Sequence, residues 1–194
     1  DGAGVYASES VVRLRDSARV SANAASNYGG GLYITDASRA ECVGASALDG
    51  NRARHGGALY LVGTLSDQVT DLTETERDVL GLSMCSDDVP APCWEAEATP
   101  ASRFDASGAV SITANTAEFG GGVYAFDYAR FSARGGGVLA AANVARVSGT
   151  GSGGGIGGFA YVLGDAKLTR EGVALRANKA KAFGGALAIG SQGM

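Results

Sequence analysis

Proline and cysteine are scarce: the chain holds 3 of each in 194 residues, against 31 glycines and 45% hydrophobic residues. So few cysteines exclude a small disulfide scaffold. Cys85 and Cys93 stand close enough in a loop-like segment to pair, which leaves Cys42 alone as a small buried apolar side chain. No run of about 18 apolar residues occurs, so no membrane-spanning helix is expected. The chain lacks a charged stretch followed by an apolar one at its start, and it opens on Asp1. That reads as a processed chain or a segment of a longer one. No Asn-x-Ser/Thr sequon is present. Basic residues (16) nearly balance acidic ones (20), so the net charge of -4 gives no broad footprint for nucleic acid or anionic lipid. With this much apolar content the chain is no disordered linker, and with this much glycine it is not mainly helical.

What is present is a repeat. Val20-Ser-Ala-Asn23, Leu48-Asp-Gly-Asn51, Ile112-Thr-Ala-Asn115 and Leu175-Arg-Ala-Asn178 share an aliphatic residue, two others and Asn. A glycine block and an aliphatic residue follow each: Gly29-Gly30-Gly-Leu32, Gly56-Gly57-Ala-Leu59, Gly120-Gly121-Gly-Val123 and Gly184-Gly185-Ala-Leu187. Tyr33, Tyr60 and Tyr124 come next in the first three copies. From aliphatic residue to Asn the distance is 18 from Val5 to Asn23, 19 from Leu32 to Asn51, 20 from Val123 to Asn143 and 19 from Phe159 to Asn178. Leu59 to Asn115 is 56, which marks an insertion of roughly 37 residues.

A period of about 27 or 28 residues is too short for helical pairs and lacks the leucine spacing of leucine-rich repeats. Short β-favouring runs such as "GLYIT" and "GVYAF", three per coil and separated by Gly, Asn and Asp, predict an all-β, right-handed parallel β-helix of about five coils. Residues 1–194 form one such domain, part of a longer solenoid. Equivalent residues should then stack about 4.8 Å apart. Leu32, Leu59, Val123 and Leu187 are expected in an interior column. Asn23, Asn51, Asn115, Asn143 and Asn178 should form a hydrogen-bonded ladder at a bend, Asn tolerating the left-handed conformation. Gly30, Gly57, Gly121 and Gly185, with their neighbours, allow positive φ and close approach of turns. The alanine two after Asn fills a narrow corner.

At these residues the sequence resembles the repeats of the polymorphic outer membrane protein family, which pair Phe-x-x-Asn with Gly-Gly-Ala-Ile/Leu/Val. Gly56-Gly-Ala-Leu59 and Gly184-Gly-Ala-Leu187 keep the second motif, while Val20, Leu48, Ile112, Ala140 and Leu175 stand where the first has Phe. The resemblance implies a right-handed β-helix outside the cell, commonly adhesive or structural.

Residues 62–104 break the pattern. "SDQVTDLTETERDVLGLSM" has Leu72, Val79 and Leu80 near helical spacing, with Thr73 or Thr75 as a cap. The following "CSDDVPAPCWEAEATP" places Trp94 beside acidic residues, an interaction surface or a cover for a sheet face.

Other motifs carry little chemistry. Gly153 to Gly158 matches Gly-x-Gly-x-x-Gly, yet a strand pattern follows where a dinucleotide site needs a helix. Asp36, Asp127 and Asp165 recur after the aliphatic position and could line an edge for Ca²⁺, though solvated turns are the simpler account. His55 has no nucleophile near it in sequence, and Tyr28, Phe119 and Phe183 are its counterparts, which marks a flank position that accepts a ring. No catalytic, cofactor or metal residue is therefore assigned.

The expected function is a non-enzymatic extracellular scaffold, an adhesin stalk or a subunit of a cell-surface fibre. Its expected partners are other copies or further segments stacked end to end, or glycans of a cell or host surface, and not nucleic acid. Val5 and Leu187 read as positions inside a continuing stack. The rivals are a polysaccharide-acting β-helix enzyme, which would show clustered carboxylates on one coil face, and a glycan-binding module using Tyr28, Phe119 and Phe183.

Overall fold

A computed structural model describes residues 2, 4–63, 102–147, 153–164 and 166–190. The described residues contain strands and turns and no α-helix. All strand pairs are parallel, and they join equivalent segments of successive repeats. The fold is a parallel β-helix.

Four sheets make up its walls. The first contains β1 (Val5–Ser8), β4 (Leu32–Thr35), β7 (Leu59–Gly63), β11 (Val123–Asp127), β15 (Ala160–Leu163) and β19 (Leu187–Gly190). The second contains β2 (Val11–Leu14), β5 (Arg39–Val43), β8 (Arg103–Ser107), β12 (Arg130–Arg134) and β16 (Lys167–Arg170). The third contains β3 (Arg19–Ser21), β6 (Ala47–Asp49), β9 (Ser111–Thr113), β13 (Leu139–Ala141) and β17 (Ala174–Arg176). A short fourth sheet of β10 (Thr116–Ala117), β14 (Val144–Ala145) and β18 (Lys179–Ala180) follows the Asn position, where three strands per coil were expected. Five coils run through the first three sheets, and β19 opens a sixth.

The alternation of strand side chains fills the interior with stacked columns. Val5, Leu32, Leu59, Val123, Ala160 and Leu187 are in register in the first sheet. Ala160, not Phe159, is thus the fifth coil's member of the aliphatic column. Phe159 comes one place earlier, beside Gly122, whose missing side chain leaves room for the ring. The second sheet contributes Val12, Ala40, Phe104, Phe131 and Leu168 in one column. The third contributes Val20, Leu48, Ile112, Ala140 and Leu175. Phe104 and Phe131 stack at 5.2 Å, and Phe159 meets Phe131 edge-on at 6.0 Å. These rings supply aromatic volume to a core whose Asn motif carries aliphatic residues in place of Phe.

Cys42 is buried in the second sheet and makes no disulfide. Burial pushes its thiol up to about 12, against a hydrogen bond to Ser46 that pulls the other way.

Coil strands extend into the range first assigned to the insertion. Val62 and Gly63 pair with Phe126 and Asp127, and Arg103 and Phe104 pair with Arg39 and Ala40. Strand pairing overrides the visible repeat at these positions because they lie at strand ends, where sequence constraint is weak. The helix expected around Leu72–Leu80, the Cys85–Cys93 pair and Trp94 lie outside the described residues.

Candidate functional site

The Asn ladder forms the inner edge of the bend between the third and fourth sheets. Each Asn side-chain amide donates to the Oδ1 of the Asn in the next coil: Asn23 to Asn51 at 3.0 Å, Asn51 to Asn115 at 3.1 Å, Asn115 to Asn143 at 2.9 Å and Asn143 to Asn178 at 2.9 Å. The same Oδ1 also accepts the backbone N–H of the previous Asn. The second amide proton goes back one coil to the carbonyl of the aliphatic residue of the motif, Val20, Leu48, Ile112 and Ala140 in turn. That position therefore supplies a carbonyl and an inward side chain, which an aliphatic residue provides. Asn51, Asn115 and Asn143 are fully buried. Buried amides of this kind must have every polar atom bonded, and here they do.

The left-handed conformation is not at Asn. It falls on the residue before it: Ala22 (φ 56), Gly50 (φ 63), Ala114 (φ 55), Ala142 (φ 55) and Ala177 (φ 49). Placing the twist one residue earlier aims the Asn side chain along the rod axis. The glycine blocks meet two requirements, a left-handed backbone and close approach of chain to chain. Gly56 and Gly120 have positive φ (65 and 61), whereas a Cβ on Gly57 would run into the Gly121 carbonyl oxygen of the next coil. Ala53, Ala117 and Ala145, each two after Asn, are buried as expected for the corner.

On the outside of the first sheet, Tyr6, Tyr33, Tyr60, Tyr124 and Tyr161 are in register. Beside them runs a second column, Tyr28, His55, Phe119, Ile156 and Phe183, joined by successive parallel bridges. The structure thus brings Tyr28, Phe119 and Phe183 into one line with His55. The two columns interlock: Tyr60 and Tyr124 stack at 5.3 Å and 7°, His55 and Phe119 at 5.0 Å and 9°, and Tyr28 lies 4.6 Å from Tyr60. Packing covers Tyr60 and Tyr124, while Phe183 is 70% exposed and Tyr6 56%. Tyr124 is pushed up to about 12, first by burial and then by Tyr161 and other neighbours, and Tyr60 is raised in the same way. Burial, then the Arg54 guanidinium, holds His55 below the ordinary imidazole value. A hydrogen bond to the Asn27 backbone and the Glu118 carboxylate oppose the shift without reversing it. The neutral ring belongs to an aromatic stack and touches no nucleophile in it. The Tyr column was visible in sequence for three coils; Tyr6 and Tyr161 complete it.

The second sheet carries charge outward. Arg39, Arg103, Arg130 and Lys167 form one column and Glu41 and Asp105 lie in the next. Arg13 and Arg39 hold the two oxygens of Glu41 at 3.1 and 3.0 Å, and Arg39 and Arg103 hold Asp105 at 3.4 and 2.7 Å. This adjacent carboxylate pair is engaged as an ion-pair lattice.

Asp36 and Asp127 take the same corner two coils apart, with Gly63 between them, and Asp165 lies outside the described residues. No group of three or more metal-ligating side chains occurs among the described residues. Gly157 of the Gly-rich run precedes β15, so this stretch leads into a strand and offers no helix N-terminus to a phosphate.

Compared with known proteins, the chain matches no family model, no curated protein and no solved structure.

Proposed function

We propose that this chain is a segment of an extracellular, non-enzymatic rod, acting as a stalk or fibre element at a cell surface. Its repeats are read as of the polymorphic outer membrane protein type. The observation that carries the proposal is the Asn ladder, which runs through five coils with every interior amide satisfied. Such a ladder is costly to interrupt and transmits order along the axis. It suits a part whose task is to hold length and present a face. The paired arginines on Glu41 and Asp105 favour this reading over polysaccharide cleavage, because this adjacent carboxylate pair is spent on ion pairs within the sheet.

The test is antibody labelling of intact cells of the source organism, with permeabilised cells alongside. The account predicts equal labelling of both. Labelling confined to permeabilised cells would contradict it.

A further inference from the structure

The outer face of the fourth sheet is cationic in a chain whose net charge is -4. Strand register and bridges place Arg52, Thr116, Val144 and Lys179 in one outward column. The next outward position holds Arg54, Glu118, Arg146 and Lys181 in successive coils. Arg52, Arg54, Arg146, Lys179 and Lys181 are all exposed. Glu118 is the one acid in these two columns, and Arg54 pairs with it at 3.3 Å. Arg52, Arg54, Thr116, Arg146 and the ion-paired Glu118 line a groove of about 710 Å³ beside the alanine corner. One edge of the same face is the apolar rim of Phe119, Ile156 and Phe183.

We propose that this groove binds an acidic polysaccharide lying along the rod axis, its carboxylate or sulfate groups on the arginines and its sugar rings against the apolar rim. The proposal rests on reading the rod as a surface scaffold. The cations extend from the second coil to the fifth, about 15 Å at the usual strand spacing, so an extended polymer is matched better than a small anion. Guanidinium groups suit planar carboxylate and sulfate oxygens. A nucleic acid strand is matched poorly: its bases would find the faces of His55, Phe119, Tyr60 and Tyr124 taken by one another.

The experiment measures binding of the purified chain to polygalacturonate, heparin, dextran and oligo(dT) at low and moderate salt, with polymer length followed by size-exclusion chromatography. Binding to polygalacturonate, heparin or both should exceed binding to dextran at least ten-fold (on the order of 1.4 kcal/mol) and weaken with salt. The polygalacturonate and heparin arms separate carboxylate from sulfate as the group preferred. The double variant Arg52→Ser/Arg146→Ser should lose about ten-fold in affinity with an unchanged melting temperature. Arg13→Ser, on the second sheet, should bind as the parent does. Oligo(dT) bound as tightly as the acidic glycans, no preference over dextran, or full binding by the double variant would each overturn the groove assignment while leaving the scaffold reading intact. Shortening of a bound polymer would instead sink the non-enzymatic reading and keep the groove.

Discussion

Asn115 uses both amide protons and both lone pairs of Oδ1 within the rod, whereas Asn23 at the first coil donates to Asn51 and has no second coil bond of that kind. Replacing Asn115 by Leu leaves two donors of Asn51 without partners in a dry interior and removes the amide bonds to the Leu48 carbonyl and to the Oδ1 of Asn143, which keeps only the backbone N–H of residue 115. Each such orphan costs about 1–3 kcal/mol, so Asn115→Leu should lower unfolding free energy by several kcal/mol, measured by denaturant titration. Asn23→Leu should cost about 1 kcal/mol. Equal losses would argue against the ladder as a source of stability. The glycines make a second contrast. Gly50 occupies the left-handed position that alanine fills in four other coils, and a Cβ there meets nothing closer than 4.0 Å. Gly50→Ala should therefore cost only the left-handed strain of an alanine, about 1–2 kcal/mol, while Gly57→Val, aimed at a neighbouring carbonyl, should cost more, about 3 kcal/mol or above. His55 gives a pH signature. Its imidazole is held below its ordinary value, so the unfolded chain binds the proton first as pH falls. Stability should be complete above the unfolded value near 6.5 and decline as pH drops from there through the folded value. His55→Phe, which copies the residue at Phe119 and Phe183, should remove this acid-side decline in melting temperature.

At the scale of strands, the aromatic ribbon couples five coils, from Tyr6 to Tyr161, through side chains on the outside of the first sheet. Tyr60 and Tyr124 ionise late because the phenolate would be buried among rings. Since these phenols are raised in the folded state, their contribution is complete below the ordinary value near 10 and is lost as pH rises through about 12 for Tyr124. Ultraviolet titration should show phenolate appearing late and together with unfolding; ionisation of all tyrosines near pH 10 in a folded rod would count against the packed ribbon. The columns behind this ribbon were legible because β-helix register turns sequence period directly into spatial neighbours. Leu32, Leu59 and Val123 needed only counting. Phe159 was misplaced because its coil gives up the small residue found at Ala58 and Gly122, which shifted the match by one. The left-handed alanines were invisible because alanine carries no local signal for positive φ; the Asn beside them offered a stronger and misleading one. The cationic face stayed hidden as well. Its residues alternate with the corner alanines in strands of two residues, separated by 28 or more positions in the chain, and only the register shows that they share a side.

The whole molecule is a stack in which nearly every stabilising contact links one coil to the next. Sheets, the Asn ladder and the ring columns all run along the same axis, so the rod behaves as a one-dimensional array whose cooperativity depends on neighbours. Ile34 and Leu61, inside the stack, are fully buried. The scaffold account proposes that coils of this kind run on as a longer stack in the native assembly. Electron microscopy of native material at a resolution that separates coils tests this most directly. The account predicts filaments or long stalks in which the strand spacing of about 4.8 Å continues without a break past the sixth coil. Isolated short rods would contradict it.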